Sequence, residues 1–296
     1  MGREKTTSGR QQSIFKTDEG RQEILRYYHK LLVQNDFPYQ EKYVDTSYGK
    51  TYLLEAGDPM SPALVLLHGS TSNSAAWFSD IRELWPAYRV ISIELLGDAG
   101  HSEPIRHEMT SPAYAEWLRE VFDKAGISKA SVMGNSLGGW MALRFASRYP
   151  ERVEKLVLLA ASGLAPIQFT FVLRLIAFGM SGRGAEKIAA MIYGNDTMPP
   201  EVLEFMRVIS QNYNPYTGAM PVFAERELRR LAMPILYVAG AEDKLTNAKG
   251  SAKRLSRILP HAEVTLIENR GHVIFGVLPR VRRFLDNPTN GDAPRI

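Results

Sequence analysis

The feature that most constrains this 296-residue chain is a set of short runs that are apolar without alternation. Residues 63–68, 90–96, 130–133, 157–160, 235–239 and 264–267 are such runs, each too short to be a buried helix. A strand with one wet face alternates apolar and polar residues, so unbroken runs predict strands covered on both faces, as in parallel sheets. Amphipathic stretches with helical spacing separate them, at residues 75–85, 113–125, 140–149 and 252–259. Strand and helix therefore alternate, which predicts an α/β fold: a mostly parallel, doubly wound sheet with helices on both faces.

The two ends of this pattern differ from its middle. Ile24, Leu25, Tyr28, Leu31 and Leu32 recur at helical spacing within residues 19–35, so residues 1–38 are expected to be a polar tail and a packing helix. Residues 39–46 and 50–56, joined at Tyr48-Gly49, suit an antiparallel hairpin that opens a core domain running from 39 to 296. The alternation breaks once, over residues 162–232, where helical-looking stretches rich in Phe, Met and Leu (169–180, 185–193 and 201–210) replace any strand. An insertion between two strands of one sheet is the expectation, forming a helical cap over the sheet's carboxyl edge.

Composition narrows the chemistry. The chain has no cysteine, so a thiolate nucleophile, a disulfide framework and a zinc-thiolate site are excluded. Its 36 Lys and Arg against 32 Asp and Glu leave a net charge of +4 scattered along the sequence, which offers nucleic acid no concentrated patch. The opening residues are charged and lack an apolar core, and no stretch is apolar enough to span a bilayer. A soluble cytoplasmic protein without a membrane partner is expected.

The strongest chemical signal is Gly134-Asn-Ser-Leu-Gly138, a G-x-S-x-G between a predicted strand and a predicted helix. In that context the glycines allow a sharp turn that lifts the Ser136 hydroxyl above the sheet. A serine hydroxyl needs a base within hydrogen-bond reach and a third group to orient that base. On such an elbow the acid and then the histidine follow the serine, each after a later strand. Of the six histidines, His272 alone fits, in a loop after residues 264–267 and at the expected start of the last helix. The loop after residues 235–239 reads Gly240-Ala-Glu-Asp243; Asp243 is preferred for its G-x-x-D spacing, with Glu242 the alternative. Acyl transfer also needs oxyanion donors. The backbone NH groups of Leu137 and of Ser70, in His68-Gly69-Ser70 after the first parallel strand, are the candidates, and His68 is expected to tie that loop down.

These motifs resemble the α/β-hydrolase superfamily, from about Lys50 to Leu285. Within it, Glu94-Leu-Leu-Gly-Asp-Ala-Gly-His-Ser-Glu-Pro104, residues 114–123 and residues 221–229 are similar to bacterial carboxylesterases that hydrolyse naproxen esters. The resemblance implies a carboxylic ester hydrolase with a small-molecule ester substrate, a Ser136, His272 and Asp243 triad, and no metal or organic cofactor. Two departures stand out. Val277 replaces a glutamate common in the superfamily, and the usual G-x-G-x-S after the fourth strand is altered to Gly97-Asp-Ala-Gly-His-Ser102, so the path of that loop is open.

Other activities fit the same residues. A carbon-carbon bond hydrolase of the ring-cleavage type has similar versions of both serine motifs, although Thr71-Ser-Asn stands here in place of its Gly-Pro-Gly. An acyltransferase or perhydrolase would use the same triad, and a non-enzymatic binding member of the fold would keep the pocket without chemistry. Phe169, Phe171, Phe178, Met180, Met191 and Tyr193 are either the lining of an acyl pocket or the cap's own core. No arginine other than Arg144 lies near the elbow in sequence, and Arg144 is expected to face solvent or a salt bridge.

Overall fold

The computed structural model describes residues 13–167, 200–218 and 220–287. Its strands are Gln40–Thr46 (β1), Gly49–Ala56 (β2), Ala63–Leu67 (β3), Arg89–Ile93 (β4), Ala130–Asn135 (β5), Val153–Leu159 (β6), Ile235–Gly240 (β7) and Glu263–Ile267 (β8). They join in one sheet, ordered β1-β2-β4-β3-β5-β6-β7-β8. The β1–β2 and β2–β4 pairs are antiparallel, and every pair from β4 to β8 is parallel. After β4 the chain crosses back over β3 to lay down β5. Such a reversal opens a crevice at the carboxyl ends of adjacent strands, where open α/β sheets bind ligands.

The described helices are Asp18–Leu32 (α1), Phe78–Leu84 (α2), Ala113–Lys124 (α3), Leu137–Arg148 (α4), Pro200–Asn212 (α5), Glu225–Leu228 (α6), Ala248–Ile258 (α7) and Leu278–Asp286 (α8). One face of the sheet packs on α3, α4 and α7 through residues such as Trp117, Phe145 and Leu255. The other packs on α1, α2 and α8 through Tyr28, Ile81, Val281 and Phe284. Both faces are thus covered, which is why the central strands are mostly apolar, with Ser92, Ser131 and Lys155 as buried polar exceptions.

Several elements depart from the sequence pattern. The expected helix over 75–85 is a 3-10 turn, Ser74–Trp77, followed by α2. Strand β6 begins at Val153, ahead of its apolar run, because Lys155 is buried there despite its charge. The last helix begins at Leu278 and not at His272.

Of the inserted segment, the expected helices over 169–180 and 185–193, with their six candidate lining residues, lie outside the described residues. Its described ends are stitched together. Phe223 N donates to Gly163 O at 2.9 Å, and the Arg254 guanidinium donates to Leu164 O and Phe223 O, each at 2.6 Å. Helix α1 and the residues just before it in turn grip α5: the Tyr27 and Phe205 rings stack at 5.3 Å, and Lys16 N donates to Asn212 O at 2.9 Å. No described helix is long and apolar enough to cross a membrane.

Lys155 explains how α8 is held. Its ammonium, only 6% exposed as a residue, donates to the Phe284, Leu285 and Asn287 carbonyls at the C-terminal end of that helix. Those carbonyls lack intrahelical partners and sit at the negative end of the helix dipole, so a cation there both satisfies and neutralises them. Lys155→Met should keep the aliphatic packing and lose the donor, costing about 1–3 kcal/mol for the stranded carbonyls. Urea unfolding of the variant against wild type measures this, and an unchanged midpoint would show that water replaces the ammonium without cost.

Candidate active site

Ser136 stands between β5 and α4 with φ 52° and ψ −109°. The turn is tight enough that a side chain at Gly138 would strike the Leu67 carbonyl of neighbouring β3. This is the physical content of the motif: the second glycine lets the elbow helix lie directly on an adjacent strand. Ser136 N donates to Leu159 O at 2.9 Å, and Ser162 N donates to Ser136 O at 3.1 Å. The elbow is therefore fastened to β6 as well.

The hydroxyl faces a histidine. Ser136 Oγ lies 3.0 Å from His272 Nε2, and His272 Nδ1 lies 2.9 Å from Asp243 Oδ2. The carboxylate can only accept, so Nδ1 donates to it and Nε2 is left to accept from the serine. Asp243 is fully enclosed: Oδ1 accepts from Leu245 N at 2.9 Å and Thr246 N at 3.2 Å, and Oδ2 also accepts from the Thr246 hydroxyl at 2.5 Å. Burial pushes this carboxyl up, but the hydrogen bond and charge of His272 together with the Thr246 donors outweigh it and hold the carboxyl below its ordinary value. Its neighbour Glu242 is exposed, and its backbone N donates to Arg270 O at 2.9 Å in the histidine's loop.

The two loops that carry acid and histidine meet backbone to backbone. A side chain at Gly240 would strike the Arg270 and Gly271 carbonyls, so glycine is what allows Asp243 to come under His272. His272 itself sits in an extended loop ahead of α8, where Gly276 at φ 72° and Pro279 in the first turn set the helix start later than the apolar residues 273–275 suggest.

Opposite the serine runs the loop after β3. A methyl on Gly69 would lie 3.6 Å from Ser136 Cβ, so this loop passes beside the serine one residue before Ser70. Among the described residues neither Ser70 N nor Leu137 N donates to a protein acceptor. Leu137 N is also the first amide of α4, at the positive end of a helix dipole. His68 anchors the loop: its Nε2 accepts from Leu95 N at 3.0 Å, which leaves Nδ1 to donate to Gly69 O at 2.8 Å.

The sequence profile of the Alpha/beta hydrolase family matches residues 64–282, a span that contains the serine, the acid and the histidine. The chain belongs to the alpha/beta hydrolase family. It is 31% identical over 261 residues to the uncharacterized carboxylesterase nap of Bacillus subtilis (strain 168), spanning 83% of this chain and 87% of that one. The crystal structure of naproxen esterase (carboxylesterase NP) from Bacillus subtilis superposes with a TM-score of 0.79 at 28% identity, over 92% of this chain and 100% of that chain. This chain is also 28% identical over 236 residues to a 2-hydroxy-6-oxononadienedioate/2-hydroxy-6-oxononatrienedioate hydrolase of Paraburkholderia phymatum, spanning 71% of this chain and 80% of that one.

Three residues of this alpha/beta hydrolase's site carry no signal in the sequence. Thr246 meets Asp243 within one turn. Arg106 and Tyr213 line a small cavity, about 20 Å³, that Leu137 also borders. The Arg106 guanidinium donates to Gly97 O at 3.0 Å, Tyr213 OH at 2.8 Å and Asn214 O at 2.6 Å. Arg144 is the arginine nearest the elbow in sequence, but in space Arg106, from a loop distant in sequence, lines the cavity that Leu137 borders. Arg144 pairs with Glu227 at 2.9 Å and lies over the Trp140 ring.

The Asp243 carboxyl titrates lower in the folded protein than in the unfolded chain, so between the two values the unfolded chain binds more protons and acid favours unfolding. Its stabilising contribution is complete above the unfolded value of about 3.9 and vanishes as pH falls through the folded value. Asp243→Asn removes that titration. Urea midpoints followed from about pH 6 to about pH 3 should therefore fall less steeply for the variant than for wild type; parallel curves would mean that other carboxylates dominate acid unfolding.

Proposed function

We propose that this alpha/beta hydrolase cleaves carboxylic esters through an acyl-enzyme on Ser136. The reading rests on the unbroken relay from Ser136 Oγ to His272 Nε2 at 3.0 Å and from His272 Nδ1 to Asp243 Oδ2 at 2.9 Å. Ser136 attacks the ester carbonyl while His272 takes its proton, and the amides of Ser70 and Leu137 receive the oxyanion. His272 then gives that proton to the leaving alcohol and afterwards activates water for deacylation. Asp243 holds the imidazole in the tautomer that leaves Nε2 free to accept. Ester cleavage is chosen over other acyl chemistry because the carboxylesterase relatives span most of the chain.

The same reading assigns residues 39–296 to the core and 1–38 to a packing segment. Residues 162–232 act as a cap over the site, supported by the Arg254 staple across the two ends of that segment.

With nitrophenyl esters of short to medium acyl chains, Ser136→Ala should fold normally and lose turnover and labelling by a fluorophosphonate probe. Asp243→Asn should lower kcat by orders of magnitude, about 10⁴ in the best-studied triad, whereas Glu242→Gln should change it little. Turnover by a folded Ser136→Ala, or the reverse ranking of the two acids, would overturn the assignment.

A second reading, carbon-carbon hydrolysis of a dienoate, is favoured by one observation: Arg106 lines the cavity beside Leu137, where a cation could meet a carboxylate. That guanidinium already donates to Gly97, Tyr213 and Asn214, which leaves the ester reading preferred. Steady-state assays on a nitrophenyl ester and a vinylogous diketone acid should give the higher kcat/KM for the ester, and the opposite order would select the carbon-carbon hydrolase.

A further inference from the structure

The altered motif Gly97-Asp-Ala-Gly-His-Ser102 has a definite path, and that path runs along the loop of Ser70. Asp98 is 4% exposed. Its Oδ1 accepts from Thr71 N at 2.9 Å, from Ser72 N at 3.3 Å and from Ala99 N at 2.8 Å. One carboxylate oxygen thus gathers two consecutive amides that immediately follow Ser70. Thr71 has φ 60°, a left-handed backbone that a β-branched residue adopts only when its surroundings impose it. Flanking bonds continue the grip: Asn73 Nδ2 donates to Ala99 O at 2.8 Å, and Ser74 N donates to Glu94 Oε1 at 3.3 Å.

We infer that Asp98 is a positioning residue for the oxyanion site, fixing the direction of the Ser70 amide by holding the strained turn at Thr71. The inference rests on the serine-esterase reading above, because it gives the Ser70 amide its task. A peptide plane that carries a donor can rotate while the chain trace stays the same. The Ser70 amide must point at the serine's partner, and the plane that follows it is set by the Thr71 turn. With Thr71 N and Ser72 N both drawn to one buried oxygen, that turn has a single orientation. A donor fixed before reaction needs no reorganisation during it, which is where oxyanion sites gain their effect. Burial pushes the Asp98 carboxyl above its ordinary value, against the opposing influence of His68 and the donors around it. The fold therefore bears a desolvation cost to place an acceptor at this point.

The test compares Asp98→Ala and Asp98→Asn with wild type, using kcat and KM on a nitrophenyl ester and the inhibition constant of a trifluoromethyl ketone. That ketone forms a tetrahedral adduct on the serine, with its oxygen facing the same amides. Asp98→Ala removes the shared acceptor and should lower kcat by about tenfold or more with KM nearly unchanged, while weakening the ketone in parallel. Asp98→Asn keeps an oxygen in the same place and should restore most of both. If Asp98→Ala does not fold, Asp98→Ser, whose oxygen stops short of the amides, takes its place with the same expectation. Wild-type kcat in a folded Ala or Ser variant overturns the inference, as does a rise in KM with unchanged ketone affinity, or an Asn variant as impaired as the Ala one. Failure of the wild-type protein to hydrolyse esters or label at Ser136 would instead defeat the esterase reading itself.

Discussion

A residue with a Cβ held at φ 52° and ψ −109°, as Ser136 is, costs of order 1–3 kcal/mol of backbone strain. The surrounding sheet has to impose that conformation. It does so from two sides at once: β6 takes the serine's amide through Leu159 O, and β3 presses its Leu67 carbonyl against Gly138. Both constraints exist only because β5 lies between β3 and β6 in the sheet. The crossover that reverses strand order is thus more than a topological detail. It supplies the two neighbours that hold the hydroxyl clear of its own backbone, and it sets the Ser70 loop beside the serine.

Much of this was legible in the sequence, for a reason that also marks where legibility stops. Strands covered on both faces are mostly apolar, so the six parallel strands announced themselves, four of them to within two residues at either end, with β4 ending three residues before the end of its run and β6 starting four residues before its run. The elbow was legible because its glycines are required by backbone contacts that no other residue permits. The order of loops along the chain picked out Asp243 and His272, the pair that lies within hydrogen-bond reach of one another and of Ser136 in the order Asp243–His272–Ser136. What stayed hidden depends on partners remote in sequence. The start of β6 was missed because Lys155 reads as a surface residue until the end of α8 is brought to it. Arg106 and Tyr213 meet through a 2.8 Å hydrogen bond between residues 107 apart in sequence, and no local pattern encodes that. Helix α8 was placed too early because residues 273–275 look like its first apolar turn, whereas Gly276 and Pro279 govern where it begins.

The packing helix α1 does more than cover one face of the sheet. Tyr28 OH lies 3.0 Å from Tyr52 OH on β2, and the His101 ring sits against both, with centroids at 4.6 Å from Tyr28 and 4.4 Å from Tyr52. His101 N donates to the buried Glu94 carboxylate, the same group that accepts from Ser74 N. Burial pushes the Glu94 carboxyl up, but the hydrogen bonds and charge of His101 more than offset this and hold it low. A continuous set of contacts therefore links α1, the loop after β4 and the loop of Ser70. The other side of α1 grips α5 of the inserted segment, so one N-terminal helix braces both the floor of the site and a described part of its surround.

The order in which Ser136, His272 and Asp243 touch is not the order in which their strands lie. Across the sheet they come from β5, β8 and β7, with β6 between the serine's strand and the acid's. Neighbouring strands are about 4.8 Å apart, so the serine and acid loops start roughly two strand spacings from one another. The histidine comes from the strand furthest out and has to reach back over the acid to stand between the two. A helix starting immediately after β8 would carry the chain away over the sheet's face. An extended loop instead lets residues 268–271 run back along residues 240–242, where Ala241 N donates to Ile267 O at 2.8 Å and Glu242 N to Arg270 O at 2.9 Å. The close approach at Gly240 and these backbone bonds join the two loops into one packed piece around the 2.9 Å bond between Asp243 and His272. The serine belongs to the other piece, anchored on β3 and β6. The hydrogen bond between Ser136 and His272 therefore spans from one piece to the other, across β6.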